Sequence, residues 1–397
     1  MPTRRGYGTR LFPKASRSLG LLCRDLTATA RERYDRITLD VTSWRIASVN
    51  HAPHPLPEHV NSVEQLEELL SEPSPQVIET LGKLEGDMLV LGVGGKMGPT
   101  LARMAVRASH AARVKRRVIG VSRFSDPVLK SRLNEWGVET ISADLLDARQ
   151  LAALPDCPHV IAMPGMKFGS TGAQARTWAM NTYLAGMIAE RFARSRIVAF
   201  STGNVYPLAP VVSGGSREHD DLNPVGEYAM SCLGRERMYE HFCRTQNMPV
   251  SIVRLNYANE LRYGVIVDIA QQVWRGEPVP LATGCFNAIW QGDANAASLA
   301  ALAHTASPPF VFNLSGPEIL SVRRVAEELG AIMHRPVTFE GHESPTALIS
   351  NGQLGHRLFG YPRVSIEHVI RWIANWVIHG GASLGKPTHF ETRDGKF

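Results

Sequence analysis

LVLGVGGKMGPTLARM, residues 89–104, sets an apolar run, a glycine-rich turn and a helical pattern in direct succession. Gly92, Gly95 and Gly98 fall three apart between the run and the helix, and Lys96 and Met97 lie within the same turn. Glycines there permit a tight turn and bring backbone close to a pyrophosphate. The helix start beyond them offers free N–H groups and the positive end of a dipole. A glycine turn on its own serves packing equally well; its place between strand and helix is what points to a dinucleotide. The GxxGxxG spacing departs from the common GxGxxG fingerprint, although Gly94 adds a fourth glycine.

Outward from this turn the alternation continues. RRVIGVSR (116–123), VETISADL (138–145), PHVIAMPG (158–165), RIVAFSTGNVY (196–206) and PVSIVRLN (249–256) read as strands, separated by helical stretches. Strands spaced by helices of this length predict an α/β fold, a doubly wound parallel Rossmann sheet covered on both faces. Residues 87–257 are expected to form this NAD(P)-binding domain. Two amphipathic stretches in 59–86 lead into it, the second opening on Ser74–Pro75 as cap and first turn. Residues 258–397, with the strand PFVFNLSG (309–316) among helices, read as a smaller mixed substrate region able to exchange segments with the Rossmann part. Residues 1–58 read as a basic, disordered extension and a Pro/His-rich linker.

Composition excludes several function classes. Of 397 residues, 44% are hydrophobic and 20% charged, ordinary for a globular chain. No apolar run reaches the roughly 18 residues that span a bilayer. The five scattered cysteines suggest neither a disulfide framework nor a zinc site, which fits a reducing compartment. Residues 1–36 carry nine Lys/Arg against three Asp/Glu, so they hold the whole net charge of +6. The remainder is neutral and has no field to draw nucleic acid. The Arg-rich start resembles an organelle transit peptide; a disordered extension on a cytoplasmic protein is the preferred reading. The histidines form no HxxxH or HxH pair, and His51, His54 and His59 lie in the linker, so no metal is expected. Trp274, Trp290, Trp372 and Trp376 read as core or domain-contact residues, and Glu218, Asp220 and Asp221 as a solvated loop.

The end of the second strand discriminates between cofactors. An acid there accepts from both ribose hydroxyls. Ser122 and Arg123 stand there instead and suit a 2′-phosphate, which points to NADP rather than NAD. Arg123 can equally be a solvated strand-end arginine. Asp144, at the end of the third strand, is either a partner for the adenine amine or the N-cap of the following helix.

Five features in one order resemble the extended short-chain dehydrogenase/reductase superfamily, its NAD-dependent epimerase/dehydratase group: the glycine turn, Asp144–Leu145, Asn181, STGNVY, and the helix of Tyr228. The resemblance spans about residues 86–375. It implies a nicotinamide dinucleotide on the sheet and a sugar nucleotide or similar small molecule against the C-terminal region. It makes Thr202 the catalytic hydroxyl, Tyr228 the proton-exchanging tyrosine and Asn181 the helix asparagine. It gives Lys167 of PGMKFG the cofactor-reaching lysine's place and sets Asn256 on the substrate side. It also implies a homodimer through the Tyr228 helix and the helix before it. Gly203 and Asn204 stand where the group's dehydratases carry an Asp-Glu pair, and Asn cannot move a proton as a carboxylate does, so dehydration ranks low.

One departure bears on chemistry. The family pairs its tyrosine with a lysine four residues on; here Cys232 stands there. A free tyrosine has a pKa of about 10 and needs a cation to favour phenolate. Three readings stay open: another cation (Lys167, Arg235 or Arg254) substitutes in an oxidoreductase or epimerase; the chain binds dinucleotide as a sensor or scaffold; or Tyr228 is a core residue. Ser231 and Glu236, which keep the Tyr-x-x-Ser-x-x-x-x-Glu pattern, argue against the last. GKMG also suggests a hydroxyacid dehydrogenase, but those enzymes use another glycine spacing and an all-helical second domain.

Overall fold

The computed structural model describes residues 55–167 and 169–396; the basic tail and most of the linker, with Cys23, His51 and His54, lie outside them. The described chain opens with α1 (Val63–Leu70), capped by Ser62, whose hydroxyl accepts from the Gln65 N–H. The second helix, α2 (Pro75–Lys83), is capped by Ser74 with proline in its first turn. The alternation follows as β1 (Met88–Leu91), α3 (Gly98–Ala111), β2 (Val118–Ser122), α4 (Pro127–Glu135), β3 (Val138–Ser142), α5 (Ala148–Ala152) and β4 (His159–Ala162). Next come α6 (Gln174–Trp178), a π turn (Ala179–Tyr183), α7 (Leu184–Arg191), β5 (Arg196–Thr202), α8 (Gly226–Gln246) and β6 (Val250–Leu255). The rest contains α9 (Val265–Arg275), α10 (Gln291–Ala300), β7 (Phe310–Leu314), α11 (Val322–Met333), α12 (Gln353–Phe359) and α13 (Ile366–Ile378), with short two-residue bridges between them.

The seven strands form one parallel sheet in the order β7-β6-β5-β4-β1-β2-β3. The expected doubly wound sheet is therefore present. Strand β7, from PFVFNLSG, extends it beyond β6, so a segment of the C-terminal region completes the sheet. Both sheet faces are covered. Leu101, Met104 and Ala105 of α3 with Val77, Leu299 and Phe312 fill one side. Leu184, Ile188, Tyr239 and Cys243 of α7 and α8 fill the other. A separate core gathers Leu66 and Leu70 of α1 with the apolar faces of α9, α11 and α13. Trp290 is 2% exposed and meets Trp372 edge-on at 5.4 Å, so it belongs to that core.

Strand order reverses where β1 lies beside β4, and this switch point opens a crevice at the carboxyl ends of the strands. Gly92 turns there at φ +78°, and a Cβ on it would lie 3.0 Å from the Pro164 nitrogen in the loop after β4. Gly98 is the tighter case: its Cβ would come within 2.3 Å of the Val93 carbonyl oxygen. Gly98→Ala should therefore lower stability by about 1–3 kcal/mol, read as a shifted urea midpoint. An unchanged midpoint would mean that the turn is looser than described.

Candidate active site

The crevice is bordered by the ends of β1, β2, β3 and β5. At β1 the turn leads into α3, whose N-cap Met97 makes no side-chain capping bond. Ser62, Ser74, Asp126, Asp147, Ser321 and Ser365 cap their helices through side chains, while α6 to α10 and α12 start without one, as α3 does. Gly94 and Gly95 are exposed, and a Cβ on Gly95 would meet nothing nearer than 3.3 Å. An uncapped helix start behind an accessible glycine turn fits a pyrophosphate. Ser122 closes β2 against Gly94, and Arg123 beside it is exposed. Asp144 and Leu145 follow β3; the Asp144 carboxylate accepts from the Leu146 N–H. The cap of α5 is Asp147, which settles that alternative for Asp144.

At β5, Thr202 donates to Asn204 Oδ1 at 3.0 Å. The Tyr228 hydroxyl lies in hydrogen-bond reach of Thr202 and of the Cys232 thiol. Tyr228, Thr202 and Cys232 are thus brought together. Part of the Tyr228 ring meets solvent, but the hydroxyl end sits in dense protein. Burial pushes that hydroxyl well above the ordinary tyrosine range; Cys232 adds to this, while Arg235 and the Thr202 bond oppose it. Burial likewise raises the Cys232 thiol, again against Arg235.

Helix α8 presents Ser231, Cys232, Arg235, Glu236, Tyr239 and Cys243 on its buried face. Half of that face is polar, so hydrophobic periodicity does not mark it. Arg235 donates to Asn181 Oδ1 at 2.6 Å, to the Asn181 carbonyl at 3.2 Å and to the Phe200 carbonyl at 2.9 Å. No carboxylate among the described residues pairs with it. Asn181 lies in the π turn, a feature frequent at functional sites. Its amide also donates to the Met166 carbonyl and to Ser231 Oγ, and its oxygen accepts from the Met166 N–H. Every side-chain bonding site of Asn181 is used, so the residue holds the loop after β4 against α8.

Arg254 is committed elsewhere. It forks onto Glu236 at 2.7–3.2 Å, both side chains about 5% exposed or less, and donates to Tyr206 Oη at 2.7 Å. Tyr206 in turn donates to Asn313 Oδ1 on β7. Glu218 accepts from the Asn313 N–H, and its carbonyl accepts from Arg254, so it is built into this network rather than solvated as expected. Asp220 and Asp221 are exposed. Lys167 is on the cleft side, its Nζ 6.0 Å from the Tyr228 ring centroid and 3.1 Å from the Thr388 carbonyl oxygen. Burial brings Lys167 down to about 8, against the pull of Glu391 and Asp268. Lys96 sits 3.1 Å over the Tyr263 ring; burial, with Lys386 and Lys167, pushes it down to about 7. Among the described residues no cluster of His, Cys, Asp and Glu could hold a metal.

Residues 88–284 match the NAD dependent epimerase/dehydratase family. That is the group the glycine turn and the Tyr228 helix resemble. No curated protein matches the sequence. Among solved structures, the chain is similar to the UDP-glucuronic acid 4-epimerase of Bacillus cereus, determined with UDP-glucuronic acid and NAD. The identity is 18%, the TM-score 0.61, and the match covers 74% of this chain and 99% of that one. The dTDP-glucose 4,6-dehydratase DesIV of Streptomyces venezuelae, with NAD and TYD bound, gives 18%, 0.63, 74% and 97%. The UDP-glucose 4-epimerase of Thermotoga maritima, with UDP-glucose, gives 17%, 0.60, 74% and 99%. At these identities the likeness carries the fold. The NADP reading of Ser122 and Arg123 gains no support from it, since the first two hold NAD.

Sequence reasoning named Arg235 as one of three candidate cations but had no means to choose among them. It missed Asp268, Thr388 and Glu391, although an aspartate within the apolar VIVDIA of α9 was a legible signal. The Arg254–Glu236 pair yields a direct test. Arg254→Met leaves a carboxylate buried without its partner and should cost about 3–5 kcal/mol in urea unfolding. A loss under about 1 kcal/mol would place the pair in a solvent-like setting.

Proposed function

We propose that the chain is a nicotinamide-dinucleotide oxidoreductase of the epimerase type, acting on a hydroxyl or keto carbon of a sugar nucleotide or related small molecule. The observation that carries the reading is the Tyr228–Thr202 pair at the carboxyl end of the sheet that also bears the uncapped glycine turn. Gly92, Gly95, Lys96, Met97, Gly98, Asp144 and Leu145 would hold the dinucleotide along the β1 to β3 side, with Lys167 on the other. The bound nicotinamide supplies or accepts the hydride.

Thr202 would hold the reacting oxygen and Tyr228 would exchange its proton. The phenol of Tyr228 is the populated form, because burial disfavours its charge. It can protonate an oxyanion developing on a reduced carbonyl, whereas removing a hydroxyl proton needs the scarce phenolate. The oxidative step should therefore quicken as pH rises. The positive field that the family draws from its lysine would come from Arg235, which opposes the upward shift of both Tyr228 and Cys232. Gly203 and Asn204 offer no carboxylate beside Thr202, so dehydration stays unfavoured.

A second reading, a dinucleotide-binding sensor or scaffold with little turnover, is favoured by Cys232 itself, which supplies no charge to Tyr228. The hydroxyacid dehydrogenase reading is weakened by β7, which joins the main sheet where those enzymes have an all-helical domain. We also propose a homodimer through α6, α7 and α8: Trp178, Tyr183 and Met230 leave apolar surface there. A cytoplasmic setting, or an organelle-targeted form, is proposed from the cysteine usage and the basic start.

The test is substrate-hydrogen exchange with a panel of nucleotide sugars, alongside separate titrations with NAD and NADP. Tyr228→Phe should slow exchange by roughly 100-fold or more while dinucleotide affinity stays within about twofold. Exchange at the original rate would remove Tyr228 from the chemistry. Bound dinucleotide without exchange on any sugar would favour the sensor, and tighter NAD than NADP would show Arg123 to be a solvated strand-end residue.

A further inference from the structure

After α13 the chain turns back over the cleft. The Leu384 N–H donates to the Arg262 carbonyl at 3.1 Å. Thr388 then donates twice to Asp268 Oδ2 on α9, from its N–H at 2.8 Å and its hydroxyl at 2.6 Å. Its carbonyl accepts from Lys167 at 3.1 Å. Phe390 is 2% exposed and packs against Phe286. Arg393 donates to the Thr346 carbonyl at 2.7 Å. Gly395 ends against Gly226, the first residue of α8; a Cβ on Gly226 would collide with its carbonyl oxygen. The segment is thus anchored at five residues, the last of them against the start of the Tyr228 helix.

We propose that Thr388 of this segment, anchored by Asp268, is a positioning residue for Lys167 and holds its ammonium beside the Tyr228 ring. With a thiol at position 232, a cation on the cleft side must arrive from off the helix. Arg254 is spent on Glu236, and Arg235 is fixed by three oxygens beneath the pair. Lys167 stands on a loop with no regular structure and carries a long, rotatable stem. A carbonyl on a residue fixed by two bonds to Asp268 restricts that stem. The charged and titratable groups around Lys167 are Lys96 from the glycine turn, Tyr228 and Cys232 from α8, Asp268 from α9, and Glu391 from the segment, whose carboxylate stands 3.5 Å from the His389 ring. Burial works against the charge of Lys167, and Glu391 and Asp268 pull the other way.

The test has a ligand-free arm. Competitive chemical labelling of Lys167, followed by peptide mass spectrometry between about pH 6 and 10, reads its titration midpoint, expected near 8 in the unaltered chain. Thr388→Val should raise labelling about threefold or more, with Thr388→Ser restoring it. An unchanged labelling rate in Thr388→Val, with the variant melting cooperatively, would overturn the proposal. The second arm rests on the dinucleotide reading: NAD and NADP affinity should fall in Thr388→Val and recover in Thr388→Ser. If Thr388→Val labels as expected yet no dinucleotide binds to the unaltered chain, the proposed function fails and the positioning role stands.

Discussion

A guanidinium buried without a carboxylate partner organises this site. Arg235 is bonded to the carbonyl of β5 residue Phe200 and to both oxygens of Asn181, and through Asn181 it is tied to the loop that carries Lys167. Taking such a charge out of water is costly unless its hydrogen bonds are met. Here they are met by neutral oxygens, so the positive field is not cancelled at its source. It falls on Tyr228 and Cys232. A lysine at position 232 would set a second cation one turn from the first in the same low-dielectric interior. The thiol avoids that conflict. In the proposed site the cation on α8 stands at position 235 instead of position 232.

The remainder of the site follows from holding that helix in place. Glu236, the next residue, is neutralised by Arg254, and their network runs through Tyr206 to Asn313 on β7. The outermost strand of the sheet is thereby wired to the helix that carries the tyrosine. From the opposite side, the C-terminal segment packs Gly395 against the helix start and Thr388 against Asp268. Chain regions far apart in sequence therefore meet at α8, one along its buried face and one at its first residue.

Much of the fold was legible because it rests on local signals. Short apolar runs ending in glycine, capping serines and prolines, and helices of regular spacing specify β1 to β6 without long-range information. PFVFNLSG was recognised as a strand, but its sheet was not, since pairing with β6 depends on the path of the intervening chain. Helix α8 was read through Tyr228, Ser231 and Glu236, not through its periodicity, because Ser231, Arg235 and Glu236 break up its buried face. Which cation serves Tyr228 was not legible. Lys167, Arg235 and Arg254 are equivalent in sequence, and only their partners distinguish them. Glu218 shows the same limit: an acidic loop residue looks solvated until a backbone N–H from another strand arrives beside it.

The direct measurement is a two-position cycle read by substrate-hydrogen exchange: Cys232→Lys, Arg235→Met and the two combined, each confirmed to melt cooperatively. If the cation has moved along the helix, each single change slows exchange, the first by like-charge repulsion and the second by loss of the field. The combined variant then recovers at least about tenfold over Arg235→Met, so the coupling is about 1.4 kcal/mol plus the cost of Cys232→Lys alone. An Arg235→Met protein as fast as the original, or a combined variant no faster than Arg235→Met, would contradict the account.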